Sequence, residues 1–134
     1  DADGKNVQRL TVHKASDVSP RFSPDGKTIA FSSDREGTMD VYVIPTTGGA
    51  VRRLTVHSAD ETVLDWTPDG KGILLASQRG EDFMGKLYVV PVDGGLPRDA
   101  GPDMGVAGSF SPDGKKLAIN RKAQSYWRKY YRGA

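Results

Sequence analysis

The sequence predicts an all-β chain built from repeated four-stranded sheets, and three observations carry that expectation. Ser23-Pro24-Asp25-Gly26-Lys27 recurs as Thr67-Pro68-Asp69-Gly70-Lys71 and as Ser111-Pro112-Asp113-Gly114-Lys115, with 44 residues between starts both times. Val7-Gln8-Arg9-Leu10-Thr11-Val12-His13 matches Val51-Arg52-Arg53-Leu54-Thr55-Val56-His57 at the same offset. No stretch of ten residues shows helical periodicity, whereas short apolar runs alternate with Gly- and Pro-rich turns. A period of 44 residues is the length of one four-stranded β-propeller blade.

Each repeat reads as four strands. The first covers about Val18 to Phe22, Thr62 to Trp66 and Val106 to Phe110. A Pro-Asp-Gly turn follows: proline presets φ, and glycine accepts a left-handed backbone. The second strand is Thr28 to Ser32, Ile73 to Ser77 and Leu117 to Asn120, apolar on both faces as in a sheet covered on both sides. The third is Asp40 to Ile44 and Lys86 to Val90, each followed by a Gly-Gly turn. The fourth is Ala50 to Thr55, with a weaker match at Leu96 to Ala100. Trp66 aligns with Phe22 and Phe110, and Tyr42 with Tyr88, as core aromatics.

The phase of the repeat sets the expected domain plan. Residues 1–11 read as a turn and a fourth strand, 12–55 as blade 1, 56–100 as blade 2, and 101–134 as blade 3 without its outer strand. The third strand of blade 3 is placed at Tyr126 to Tyr131. Propeller rings need about four to eight blades, so three cannot close. An open arc leaves apolar flanks bare, which monomers rarely tolerate. The expectation is a two-fold dimer with six blades, in which residues 1–11 of each chain complete the last blade of the other. Val7, Arg9, Leu10, Tyr126, Trp127, Tyr130 and Tyr131 are the residues expected at that assembly. A fragment with frayed ends is the rival reading.

Composition narrows the chemistry. With no cysteine, disulfides, thiolate nucleophiles and cysteine metal sites are excluded. Nineteen basic and 17 acidic residues balance to +2, which gives no strong pull toward nucleic acid or anionic lipid. The longest apolar runs, such as Ile73 to Ala76, are strand-length, so no membrane helix is expected. The N-terminus shows no signal peptide, which favours the cytoplasm over the periplasm.

Read together, the Ser-Pro-Asp-Gly-Lys turns, the strand Ile29-Ala30-Phe31-Ser32-Ser33-Asp34, Val41-Tyr42-Val43 and Arg53-Leu54-Thr55 resemble the WD40-like repeat of TolB-type propellers. The same repeat builds the propellers of tricorn-type proteases and of prolyl-oligopeptidase relatives. Ser125-Tyr126-Trp127-Arg128-Lys129-Tyr130-Tyr131-Arg132-Gly133 is more particularly similar to a stretch of the six-bladed tricorn-type propeller. The resemblance implies a non-catalytic propeller that filters peptide passage beside a separate serine-protease module. On that basis the chain is about half of a propeller, excised or engineered. Part of an active peptidase and a TolB-like docking propeller of the cell envelope are the alternatives.

No catalytic constellation stands out, and no cofactor is expected. Ser16, Ser19, Ser58 and Ser109 lie near the relevant loops, but none sits in a Gly-x-Ser-x-Gly turn. Asp25, Asp69 and Asp113 read as turn residues. Asp1-Ala2-Asp3-Gly4 begins like a calcium loop but lacks the later ligands. His13 and His57 are too few for a closed zinc site, even with Asp17, Asp60 and Glu61 nearby, and their repetition points to a structural role. The basic aromatic tail from Tyr126 to Arg132 reads as packing rather than base stacking. Should the rim bind a peptide, the candidates are His13, Asp17, Arg35, His57, Glu61 and Arg79, with the arginines suited to clamp a carboxylate.

Overall fold

The computed structural model describes residues 2–79, 85–101 and 105–121. Ten strands follow in order: β1 Asp17–Phe22, β2 Thr28–Ser33, β3 Asp40–Pro45, β4 Arg52–Arg53, β5 Glu61–Trp66, β6 Gly72–Ser77, β7 Lys86–Pro91, β8 Arg98–Asp99, β9 Gly105–Phe110 and β10 Leu117–Arg121. Among the described residues they form antiparallel sheets β1-β2-β3-β4 and β5-β6-β7-β8, and the pair β9-β10. The first two periods therefore fold as four-stranded sheets, as the sequence predicts, and the described residues of the third form a two-stranded pair. The fourth strands are the shortest: only Arg52–Arg53 and Arg98–Asp99 pair, against the expected Ala50 to Thr55 and Leu96 to Ala100. The third strand expected at Tyr126 to Tyr131, with Trp127 and Tyr130, lies outside the described residues.

Each turn is fastened in the same way. Ser23 Oγ donates to Asp25 Oδ1 at 2.6 Å, and that oxygen also accepts the Lys27 N–H at 2.9 Å. Thr67 with Asp69 and Ser111 with Asp113 repeat the pattern. The turns also stack: Pro24 lies over Gly70 and Pro68 over Gly114.

Sheets pack face to face. Ala30, Val41 and Val43 of the first meet Val63, Trp66, Ile73, Leu75 and Val90 of the second, with Leu54 between them. Each such buried aliphatic side chain contributes about 1.5–3 kcal/mol. The opposite face of the second sheet meets β9, where glycine lets the strands close in. A Cβ on Gly105 would stand 2.7 Å from Leu87 Cγ, and one on Gly108 3.2 Å from Leu74 Cδ2.

The first sheet has a free flank. Phe31, Tyr42 and Ile44 gather there with Ile29, Val51 and Leu10. Phe22, expected in a core like Trp66, is 68% exposed there, because no sheet covers this side. Residues 2–11 form no strand in the single chain, since an outer strand needs a third strand beside it to satisfy its backbone. Their end nevertheless keeps the local form of the repeat. Arg9 Nε donates to the Thr11 carbonyl at 2.8 Å as Arg53 Nε does to that of Thr55 at 2.9 Å, and Leu10 leans on the first sheet as Leu54 leans on the second.

Candidate functional site

The six rim candidates fall into two kinds of place. The first residue of the first strand meets the arginine 18 positions later. Arg35 Nη2 donates to Asp17 Oδ1 at 2.9 Å, and Arg79 Nη2 donates to Glu61 Oε1. Both guanidinium groups also bond a serine of the second strand: Arg35 Nε to Ser33 Oγ at 3.1 Å and Arg79 Nε to Ser77 Oγ at 3.2 Å. Each lies on an aromatic ring, Arg35 at 4.9 Å from the centroid of Tyr42 and Arg79 at 4.9 Å from that of Tyr88. The arginine thus ties together the first, second and third strands of its own blade.

The two clips differ in depth. Glu61 is fully buried, and its Oε2 has no hydrogen-bond partner. Asp17 is only partly covered. Burial raises its pKa, but hydrogen bonds from Thr11, Ser33 and Arg35 and the Arg35 charge outweigh this and hold the carboxyl below its ordinary value. In the third repeat Gly105 stands 44 residues after Glu61, so no acid is present at that position, and Gly105 instead approaches Leu87 closely.

His13 and His57 stand apart from the clips. Each Nδ1 accepts the backbone N–H two residues on, from Ala15 at 3.1 Å and Ala59 at 3.0 Å. The His57 N–H donates to Asp40 Oδ1, and the His57 carbonyl accepts from Thr38 Oγ1 at 2.9 Å. Met39 N–H donates to Asp60 Oδ1 at 3.0 Å. The loop between β2 and β3 therefore touches the loop entering the next blade, which places His57 and Asp60 on the same rim as Arg35. Among the described residues no group of three or more His, Cys, Asp and Glu is arranged to hold a metal.

The inner edge is cross-tied between blades. Arg21 Nε donates to the Leu64 carbonyl at 3.0 Å, and Trp66 Nε1 donates to the Arg21 carbonyl at 2.9 Å. One blade on, Asp65 Oδ2 accepts from Ser109 Oγ and from the Phe110 N–H at 2.9 Å. Ser109 is thus engaged with a carboxylate rather than an imidazole.

Two ion pairs escaped sequence reasoning. Arg53 Nη2 donates to the fully buried Asp40 Oδ2 at 2.5 Å, and Lys86 Nζ reaches Asp99 Oδ2 at 2.6 Å. Their signal lay in opposite charges near facing positions of the third and fourth strands, and it was hidden because the two blades carry the charges in opposite order.

The chain is similar to known proteins in sequence and fold. The Tol-Pal system protein TolB of Bordetella pertussis is 41% identical over 46 residues, covering 34% of this chain and 10% of that protein. A putative tricorn protease homolog 2 of Streptomyces coelicolor is 46% identical over 41 residues, covering 31% of this chain and 4% of that protein. The matched segments thus span a tenth or less of the length of these relatives. The crystal structure of TolB from Acinetobacter baumannii superposes with a TM-score of 0.68 at 30% identity, over 78% of this chain and 26% of that one. All of residues 1–134 match one family: the chain belongs to the tricorn protease N-terminal beta propeller domain family.

Proposed function

We propose that the chain is a non-catalytic β-propeller module that guards a channel or docks a partner, and that two copies close into one six-bladed ring. The observation that supports this is the contrast between flanks. Where sheets meet, apolar side chains are covered, whereas the flank at Leu10, Ile29 and Phe31 borders an open apolar cleft of about 180 Å³. Half a ring behaves in this way, whether excised from a longer parent or engineered. Residues 1–11, with Val7, Arg9 and Leu10, would then complete the outer edge of the partner's last blade. Peptides entering such a ring would meet a rim whose arginines are already held by Asp17 and Glu61, so the rim works as a fixed frame. Light scattering of the purified chain should give about twice 14.5 kDa. A monodisperse monomer, or hydrolysis of peptides by the purified chain, would overturn the reading. The similarity to TolB supports a second reading, a docking propeller for another protein, which a pull-down with the rim loops intact and then deleted would test.

A further inference from the structure

We infer that the bare flank of blade 1 receives the third blade of a second copy, in the register that the two internal junctions already use. This rests on the ring reading above and specifies its contact surface. At the first junction Pro24 lies over Gly70, and a Cβ there would be 3.7 Å from the proline ring. At the second, Pro68 lies over Gly114, where a Cβ would approach to 2.8 Å. Gly26 is the same turn position in blade 1, at φ 70°, and a Cβ there would meet nothing within 4 Å. The proline one step beyond Pro68 is the exposed Pro112 of blade 3.

The apolar faces match in kind. On blade 1, Ile29 and Phe31 stand where Ile73 and Leu75 stand on blade 2, and Leu10 stands where Leu54 does. Leu75 receives the small Ala30, and its counterpart on the free flank of blade 3 is Ala118, exposed and as small. Phe31 fills more space than Leu75, so a small donor suits it. Polar atoms match too. Ser32 Oγ accepts the Val63 N–H at 2.8 Å across the first junction. Asn120 stands where Ser32 does in the repeat, a second side chain able to accept a hydrogen bond across such a junction. One molecule carries both a donating and a receiving flank, and three blades cannot bring them together. Two copies use both at once.

The test is the mass of the full chain in solution, with Ala118→Arg and Ala118→Ser beside it. The chain and Ala118→Ser should be dimers, and Ala118→Arg should fall to half that mass while its circular dichroism stays that of the parent, because Ala118 is exposed in the single chain. A dimer that survives Ala118→Arg overturns this docking surface and leaves dimerisation standing. A parent chain that is monomeric overturns both the surface and the ring.

Discussion

Lys86 and Asp99 occupy in the second blade the positions that Asp40 and Arg53 hold in the first, so one cross-strand ion pair appears twice with its charges exchanged. The surroundings differ. Asp40 has no exposed side-chain surface, whereas the Asp99 side chain is 52% exposed. A hydrogen bond from Lys86 holds the Asp99 carboxyl below its ordinary value. Removing Arg53 leaves a buried charge short of its partner, which costs about 3 kcal/mol. Removing Asp99 costs much less, because water screens this half-exposed pair. Urea unfolding of Arg53→Ala and Asp99→Ala should show that order, and equal losses would contradict it.

The rim clips should rank in the same manner. Arg79→Ala strands the buried Glu61 and should destabilise by about 3–5 kcal/mol. Arg35→Ala leaves Asp17 within reach of water and should cost about 1 kcal/mol. Thermal unfolding distinguishes the two. A rim made only to seize ligand carboxylates would show little loss from either.

Acid should weaken the fold. The Asp25, Asp69 and Asp113 carboxyls are held below their ordinary value first by the Ser23, Thr67 and Ser111 hydroxyls and next by backbone N–H groups. Asp17 is lowered as well. A carboxyl with a depressed folded pKa contributes stability above its unfolded pKa of about 3.9 and loses it as pH falls through the folded value. The urea midpoint should therefore hold from neutral pH to about 5 and decline below about 4. Asp113→Asn should flatten part of that decline.

The stacked turns offer a graded series. Gly26, Gly70 and Gly114 share φ near 70°, so alanine at each meets the same backbone strain of about 1–2 kcal/mol. Only at Gly114 does the new methyl also press on Pro68. The loss should be about the same for Gly26→Ala and Gly70→Ala, whose new methyl meets Pro24 at ordinary contact distance, and larger for Gly114→Ala in chemical denaturation; equal losses at all three would refute the tight stacking at Gly114.

Much of this architecture was legible because a repeat compares a sequence with itself. The 44-residue spacing located all ten described strands within two residues at either end, since period and turn chemistry are local signals. The fourth strands proved shorter because only Tyr42 with Arg53, Val43 with Arg52 and their counterparts find ladder partners. At the rim, alignment singled out Asp17, Arg35, Glu61 and Arg79, yet not that they satisfy one another. The shared 18-residue separation was the available clue, but burial of Glu61 depends on the neighbouring blade, which no single repeat contains. The exposure of Phe22 has the same origin: its cover belongs to a sheet outside its own.

Gly105 carries one more implication. The inner hems of the first two blades are fastened by charge, and that of the third by the fit of bare backbone against Leu87. Protonation of Asp17 can unbutton the first of these, whereas the last seam holds a carboxylate of its own, Asp65, on Ser109 and Phe110. Bare backbone at Gly105 is thus what lets the last two sheets draw together, and any side chain placed there would pry that seam apart.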